Sequence, residues 1–244
     1  MGRAICDICA NRDDLKIVAG LDINTTTFYD FPVYDDIHKI SEVADVVIDF
    51  SNPQVLKSLL SYCVDKKLPV VISTTGHSET QIAEITAASK IIPIFRSGNM
   101  SLGINVLLML VERAATILGD TFDVEVIEKH HNQKVDAPSG TALMIADRLK
   151  ESLPYDAEYV YDRHTVRQKR DRKEIGIHSI RGGTIVGEHE VIFAGRDEIV
   201  EIKHTAQSRE VFAAGAVKAG AFLAECDVPG LYNMDDLVRK FINL

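Results

Sequence analysis

No run of about twenty apolar residues occurs in the sequence, so a helix that crosses a bilayer is not expected. Nor does the chain open on the basic start and apolar stretch of a secretory signal, and a cytoplasmic protein is the expectation. Cysteine is scarce and scattered, at positions 6, 9, 63 and 226 of 244, and so sparse a set does not suggest oxidising export. Cys6 and Cys9 form a lone C-x-x-C without the second pair of a zinc site, and the cysteines are read as core thiols. Positive charge is also short: 27 Lys and Arg against 36 Asp and Glu leave a formal net charge of −9. Such a surface repels polyanions and anionic membranes, which excludes nucleic-acid and membrane partners, and an anionic small molecule needs a local cationic patch. Missing too is the G-x-G-x-x-G loop that marks the first turn of a dinucleotide fold.

What is present is ordinary for a soluble globular protein, with 46% hydrophobic and 26% charged residues. The length suits one large or two modest domains. Residues 4–10 read as a helix and 15–21 as a strand ending at Asp22. A buried strand closed by a turn (44–53), a helix (55–66), a strand and turn (70–76), a helix (78–89) and a strand (91–95) follow. Strands alternating with helices of about a dozen residues predict an α/β fold with a parallel, doubly wound sheet. Asp22 then falls where an acidic residue hydrogen-bonds the adenosine ribose of a dinucleotide, and its neighbour Ile23 brings no cation for a 2′-phosphate, so the lean is to NADH over NADPH.

Residues 97–105 open a long apolar helix that reaches about position 118, with small residues suited to a hinge. Residues 175–179, 184–193 and 198–205 read as successive strands which, with the strand before His130, suggest a mixed open sheet. Helices are expected over 211–226 and 235–244. The basic run 163–173 has no interleaved aromatic platform and is read as a solvated loop without a role.

The chemistry concentrates at 125–142. Residues 122–127 alternate apolar and acidic side chains, the period of a half-buried strand, so His130, His131 and Lys134 fall just past a strand end. Pro138 keeps Ala137 out of the helical region, Ser139 is available as an N-cap, and a helix begins near Thr141. A helix start offers free amides and the positive end of a dipole. With the Ser139 and Thr141 hydroxyls beside those amides and His131 and Lys134 opposite, the anticipated ligand is a small multi-carboxylate. His130 is the candidate acid, because imidazole titrates near neutrality. No metal is expected: adjacent histidines cannot both easily face one ion, and no cysteine or carboxylate lies at a recognised ligand spacing.

The run E-V-I-E-K-H-H-N-Q-K-V-D-A-P-S-G-T-A resembles the signature of the dihydrodipicolinate reductase family, over eighteen consecutive positions. The resemblance implies NAD(P)H-dependent reduction of 4-hydroxy-tetrahydrodipicolinate in lysine and diaminopimelate biosynthesis. It makes His130 the proton donor and Lys134 a second catalytic and substrate-binding group, and it implies that His131, Gly140 and Thr141 hold the substrate carboxylates. It further implies a discontinuous Rossmann-like dinucleotide domain (1–100 and 210–244), an α+β substrate and tetramerisation domain (101–209), and a homotetramer.

The family resemblance also bears on the front end. Members begin with a strand and a Gly-rich loop that closes on a Met-Gly-Arg tripeptide; this chain begins at a matching Met1-Gly-Arg. The expectation is that about 12 residues are missing, through a start assigned at an internal methionine or a truncated chain, with Met1 left as a cofactor neighbour. Ser73, Thr74 and Thr75 resemble the family's Gly-Thr-Thr-Gly turn near the nicotinamide, with Ser73 in place of glycine, and Ser97, Gly98, Asn99 and Met100 match the segment bordering the same ring. A non-catalytic nucleotide-sensing module is the alternative reading. A semialdehyde dehydrogenase of similar build would need a nucleophilic cysteine near the hinge, and Cys63 and Cys226 fall on predicted helices.

Overall fold

Val70, Val71 and Ile72 are shut off from solvent on both sides, as are Ile94 and Phe95. Continuous apolar strands of this kind belong to a parallel sheet covered on both faces. The computed structural model describes residues 1–26 and 29–242. Along the chain come α1 (Gly2–Ala10), the short β1 (Gly20–Leu21) and β2 (Val33–Tyr34), β3 (Val47–Asp49), α2 (Leu56–Lys66), β4 (Val70–Ile72), α3 (Glu79–Ala88) and β5 (Pro93–Arg96). Next are α4 (Leu102–Leu118), β6 (Asp123–His130), α5 (Gly140–Ser152), β7 (Glu158–Val160), β8 (Glu174–Arg181), β9 (Gly187–Ala194) and β10 (Ile199–Ala206). The chain closes with α6 (Glu210–Ala224), β11 (Gly230–Tyr232) and α7 (Met234–Ile242). Asn243 and Leu244, which the sequence reading places in the last helix, lie outside the described residues.

Two compact units result, one of Met1–Ser101 with Glu210–Leu244 and one of Leu102–Arg209. The first holds a parallel sheet in the order β11-β5-β4-β3 and a separate parallel pair, β1 with β2. Only Gly20 and Leu21 of the expected strand over 15–21 pair with a neighbour. The three-residue β11 carried no signal in the sequence, because Gly230-Leu-Tyr232 is too short to show a period. The cysteines also need correction: Cys63 is buried, whereas Cys6, Cys9 and Cys226 are only half-buried. Burial in apolar surroundings pushes the Cys63 thiol up to about 12, which removes it as a nucleophile.

The second unit is a five-stranded mixed sheet, β10-β9-β6-β8-β7, in which β6 runs antiparallel to β9 and parallel to β8. Val124 and Val126 of β6, Ile175 and Ile177 of β8, and Val191 and Phe193 of β9 share one core with Leu107, Leu108 and Val111 of α4 and Ile145 and Leu149 of α5. The other face is polar, and the basic run has a place there. Arg163 and Arg170 reach the Glu125 carboxylate at 2.7 and 3.0 Å, and Arg170 also holds Asp123 at 2.9 Å. His178 Nε2 donates to the same Glu125 carboxylate, 2.8 Å away. The loop is therefore tied down by charge, not merely solvated. Among the described residues no helix is long and apolar enough to cross a membrane.

Candidate active site

Alternation along β6 places Val124, Val126, Glu128 and His130 on one buried face. His130 is the last residue of that strand, so it projects from rigid sheet, one position earlier than the loop predicted for it. At the end of the apolar core the same face turns polar. In register across the sheet, Glu128 lies between Ser179 of β8 and His189 of β9, and His189 is paired with His204 of β10.

Glu128 organises this corner. It is fully buried and receives both terminal nitrogens of Arg181, Nη1 to Oε2 at 2.8 Å and Nη2 to Oε1 at 2.7 Å. The backbone N–H of Ser139 donates to Oε1 at 3.1 Å, and His130 Nδ1 lies 2.6 Å from Oε2. Burial alone would raise the Glu128 carboxyl, but the bonds from Arg181, His130 and Ser179 outweigh it and hold the group at about 2. An ionised carboxylate only accepts, so Nδ1 of His130 is the protonated, donating nitrogen and Nε2 is left to gain or lose a proton. Gly187 lies beside it: a methyl group there would come within 3.2 Å of Nε2.

The His130 ring meets His189 edge to face, with centroids 5.2 Å apart. His189 Nε2 is 3.0 Å from the Ser139 hydroxyl, which itself accepts from the Ala142 N–H at 3.1 Å. Desolvation, reinforced by His130, lowers His189 to about 4, so it is neutral at physiological pH. Ser139 is thus the N-cap of α5 as expected. Its hydroxyl, expected to face a substrate, is instead 2% exposed and spent on the cap and on His189.

Lys134 Nζ pairs with Asp136 at 2.8 Å, and that pairing, aided by the Gly140 backbone at the start of α5, lowers the Asp136 carboxyl. The Asp136 carbonyl accepts from Arg181 Nη2 at 2.5 Å. His130 and Lys134 are therefore joined to each other, and to the start of α5, through Glu128, Arg181 and Asp136. His131 lines a cavity of about 350 Å³ with Asn132, Gly183, Thr184 and Arg209. Thr141 is half-buried and Gly140 exposed on the first turn of α5. Sequence reasoning missed Glu128, Arg181, His189 and Arg209. The carboxylate two residues before a candidate histidine on a strand was the one available signal, since period 2 puts both on one face.

In the first unit, Asp49, Ile72 and Arg96 end three adjacent parallel strands, and the turn Ser73–Thr74–Thr75 follows the middle one. Thr74 Oγ1 donates to Asp49 at 2.6 Å, Thr75 is exposed, and Gly76 takes a φ of +81° that favours glycine. Ser97 Oγ bonds the Asn99 carbonyl at 3.0 Å, Gly98 is exposed, the Asn99 side chain accepts from the Ser101 N–H at 2.8 Å, and Met100 is buried. Asp22 accepts from Asn24 N–H at 2.9 Å at the end of β1, and Met1 stands exposed at the start of α1. Ser73 Oγ and both ring nitrogens of His77 are buried without a hydrogen-bond partner. Orphaned polar atoms at the carboxyl end of a parallel sheet suit a polar ligand such as a nicotinamide carboxamide.

Comparison with known proteins bears on the whole chain. The family model described as "Dihydrodipicolinate reductase, N-terminus" matches residues 1–100, and the one described as "Dihydrodipicolinate reductase, C-terminus" matches 103–238. Proteins named 4-hydroxy-tetrahydrodipicolinate reductase from Caldanaerobacter subterraneus subsp. tengcongensis and Clostridium tetani are each 55% identical over 240 residues, which is 98% of this chain and 94% and 93% of theirs. A solved dipicolinate-bound dihydrodipicolinate reductase from Paenisporosarcina sp. TG-14 shares the fold, with a TM-score of 0.80 at 24% identity over 95% of this chain and 92% of that one.

Proposed function

The chain belongs to the dihydrodipicolinate reductase family, and from that membership we infer its reaction: reduction of 4-hydroxy-tetrahydrodipicolinate by an oxidoreductase of lysine biosynthesis that uses a nicotinamide cofactor. The reduced cofactor supplies hydride when bound. Its nicotinamide end would be held by Ser73, Thr74, Thr75 and the segment Ser97, Gly98, Asn99 and Met100, with Met1 nearby and Asp22 on the ribose. The lack of a cation at Ile23, which is 99% exposed, favours NADH over NADPH.

The protein's own contribution is a proton and a grip. The hydroxylated substrate loses water to give the dihydrodipicolinate ring, and His130 donates a proton from Nε2, with Nδ1 fixed by Glu128, to the atom of that ring next to the one reduced. The single observation that carries this role is the 2.6 Å His130–Glu128 contact, which sets the tautomer and aims the free nitrogen. Lys134 assists and, with the first-turn residues Gly140 and Thr141, binds one substrate carboxylate. His131 and Arg209, sharing one cavity, bind the other. No resident metal takes part. The helix-free face of the five-stranded sheet, where Ile180 and Ile199 are exposed, pairs subunits into a homotetramer. The four cysteines are free thiols, in keeping with a reducing cytoplasm.

The test follows cofactor oxidation at 340 nm with substrate made in situ by the preceding synthase. His130→Gln lowers kcat by roughly 100-fold or more, the usual worth of a positioned acid. A kcat within about threefold of wild type, worth only ~0.7 kcal/mol, rejects the assignment.

A further inference from the structure

Lys134 and the first turn of α5 form a cationic seat, and a carboxylate of the chain already sits in it. Asp136 Oδ1 is 2.8 Å from Lys134 Nζ, and the Gly140 backbone at the start of α5 helps to stabilise its charge. The Lys134 hydrogen bond, followed by those of the backbone, holds the Asp136 carboxyl below its usual range, so it is ionised near neutrality. The two carboxylates at this corner differ in kind. Glu128 is wholly buried under several donors, whereas the Asp136 side chain is 57% exposed. An ion pair that open to water is weak and easily exchanged.

The main chain of Asp136 is held separately, through its carbonyl, by Arg181 Nη2 at 2.5 Å. Rotation about the side-chain bonds can therefore free the seat while the loop stays in place.

We propose that Asp136 is an internal stand-in for a ligand carboxylate: it occupies the place between the Lys134 ammonium and the Gly140 amide, a substrate carboxylate displaces it, and its competition sets the apparent affinity for dicarboxylates. This rests on the reading that Lys134 and the start of α5 take a substrate carboxylate. Competition of this sort lowers apparent affinity by the fraction of molecules in which the seat is open. Neutralising the side chain should therefore strengthen binding although it takes a partner away from Lys134.

The experiment is calorimetric titration of the NADH-loaded protein with pyridine-2,6-dicarboxylate. Asp136→Asn is expected to tighten binding roughly threefold to tenfold, and Asp136→Ser to do the same, with KM for the substrate falling in step. Unchanged or weaker binding in either variant overturns the proposal and makes Asp136 a brace for Lys134. Lys134→Met is titrated alongside to separate this from the reading beneath it. A tenfold or greater loss there, with no gain from Asp136→Asn, removes the stand-in alone; no loss removes the anchor reading itself.

Discussion

His130 Nδ1 stands 2.6 Å from Oε2 of Glu128, a carboxylate with no exposed surface whose remaining capacity is taken by Arg181 and the Ser139 amide. The proposed acid is thus aimed by a group that is itself immobilised.

Glu128→Gln should damage both stability and rate. It leaves the Arg181 guanidinium facing a neutral amide in a buried site, a loss of about 3 kcal/mol by urea denaturation. Weakening the charged bond to His130 should cost roughly tenfold or more in kcat. Because the native carboxyl is depressed from near 4.5 to about 2, its contribution is complete above pH 4.5 and is lost as the pH falls toward 2. The Gln variant should lack that acid limb; an identical limb in both proteins would contradict the role given to Glu128.

His189 adds a second, higher window. Its native value is lowered from 6.5 to about 4, so the unfolded chain takes up the proton first and stability declines as pH drops from 6.5 toward 4. In His189→Gln the melting temperature should fall less steeply over that interval, the remaining slope coming from His77 and His204, which burial also lowers. A slope equal to that of the wild type would assign the decline to those other groups.

Crowding by a single methyl group makes a sharper probe of geometry. Gly187→Ala brings a carbon to 3.2 Å from His130 Nε2, and we expect kcat to drop about tenfold with KM moving less than threefold. Wild-type kcat in this variant would mean that Nε2 works from another ring orientation.

Arg209 lines the cavity with His131. Arg209→Met should raise KM for the dicarboxylate about 10-fold to 100-fold, as expected for a lost charge-assisted hydrogen bond, and change kcat much less. An unchanged KM would move the second carboxylate site elsewhere.

How far the sequence disclosed this depended on range. Strand β6 was visible because its apolar and acidic residues alternate over a long stretch, and Ser139 was visible as a cap because the cue is local. The strand expected over residues 15–21 shrank to Gly20 and Leu21, since an apolar run alone does not supply a pairing partner. Arg181 was hidden. Its R-G-G setting reads as a turn, and its partner Glu128 is 53 residues away. Arg163 and Arg170 were taken for solvent-facing charge for the same reason, as Glu125 lies 38 and 45 residues earlier.

Arg181 reaches the carboxylate behind the histidine with both terminal nitrogens and the main chain beside the lysine with one of them. The histidine proposed to deliver the proton and the lysine proposed to hold an anion thus share one mechanical joint. Replacements on the two branches should therefore show epistasis: a change at Glu128 would alter what a change at Asp136 does, and laboratory evolution that loosens one branch would be met by compensation on the other.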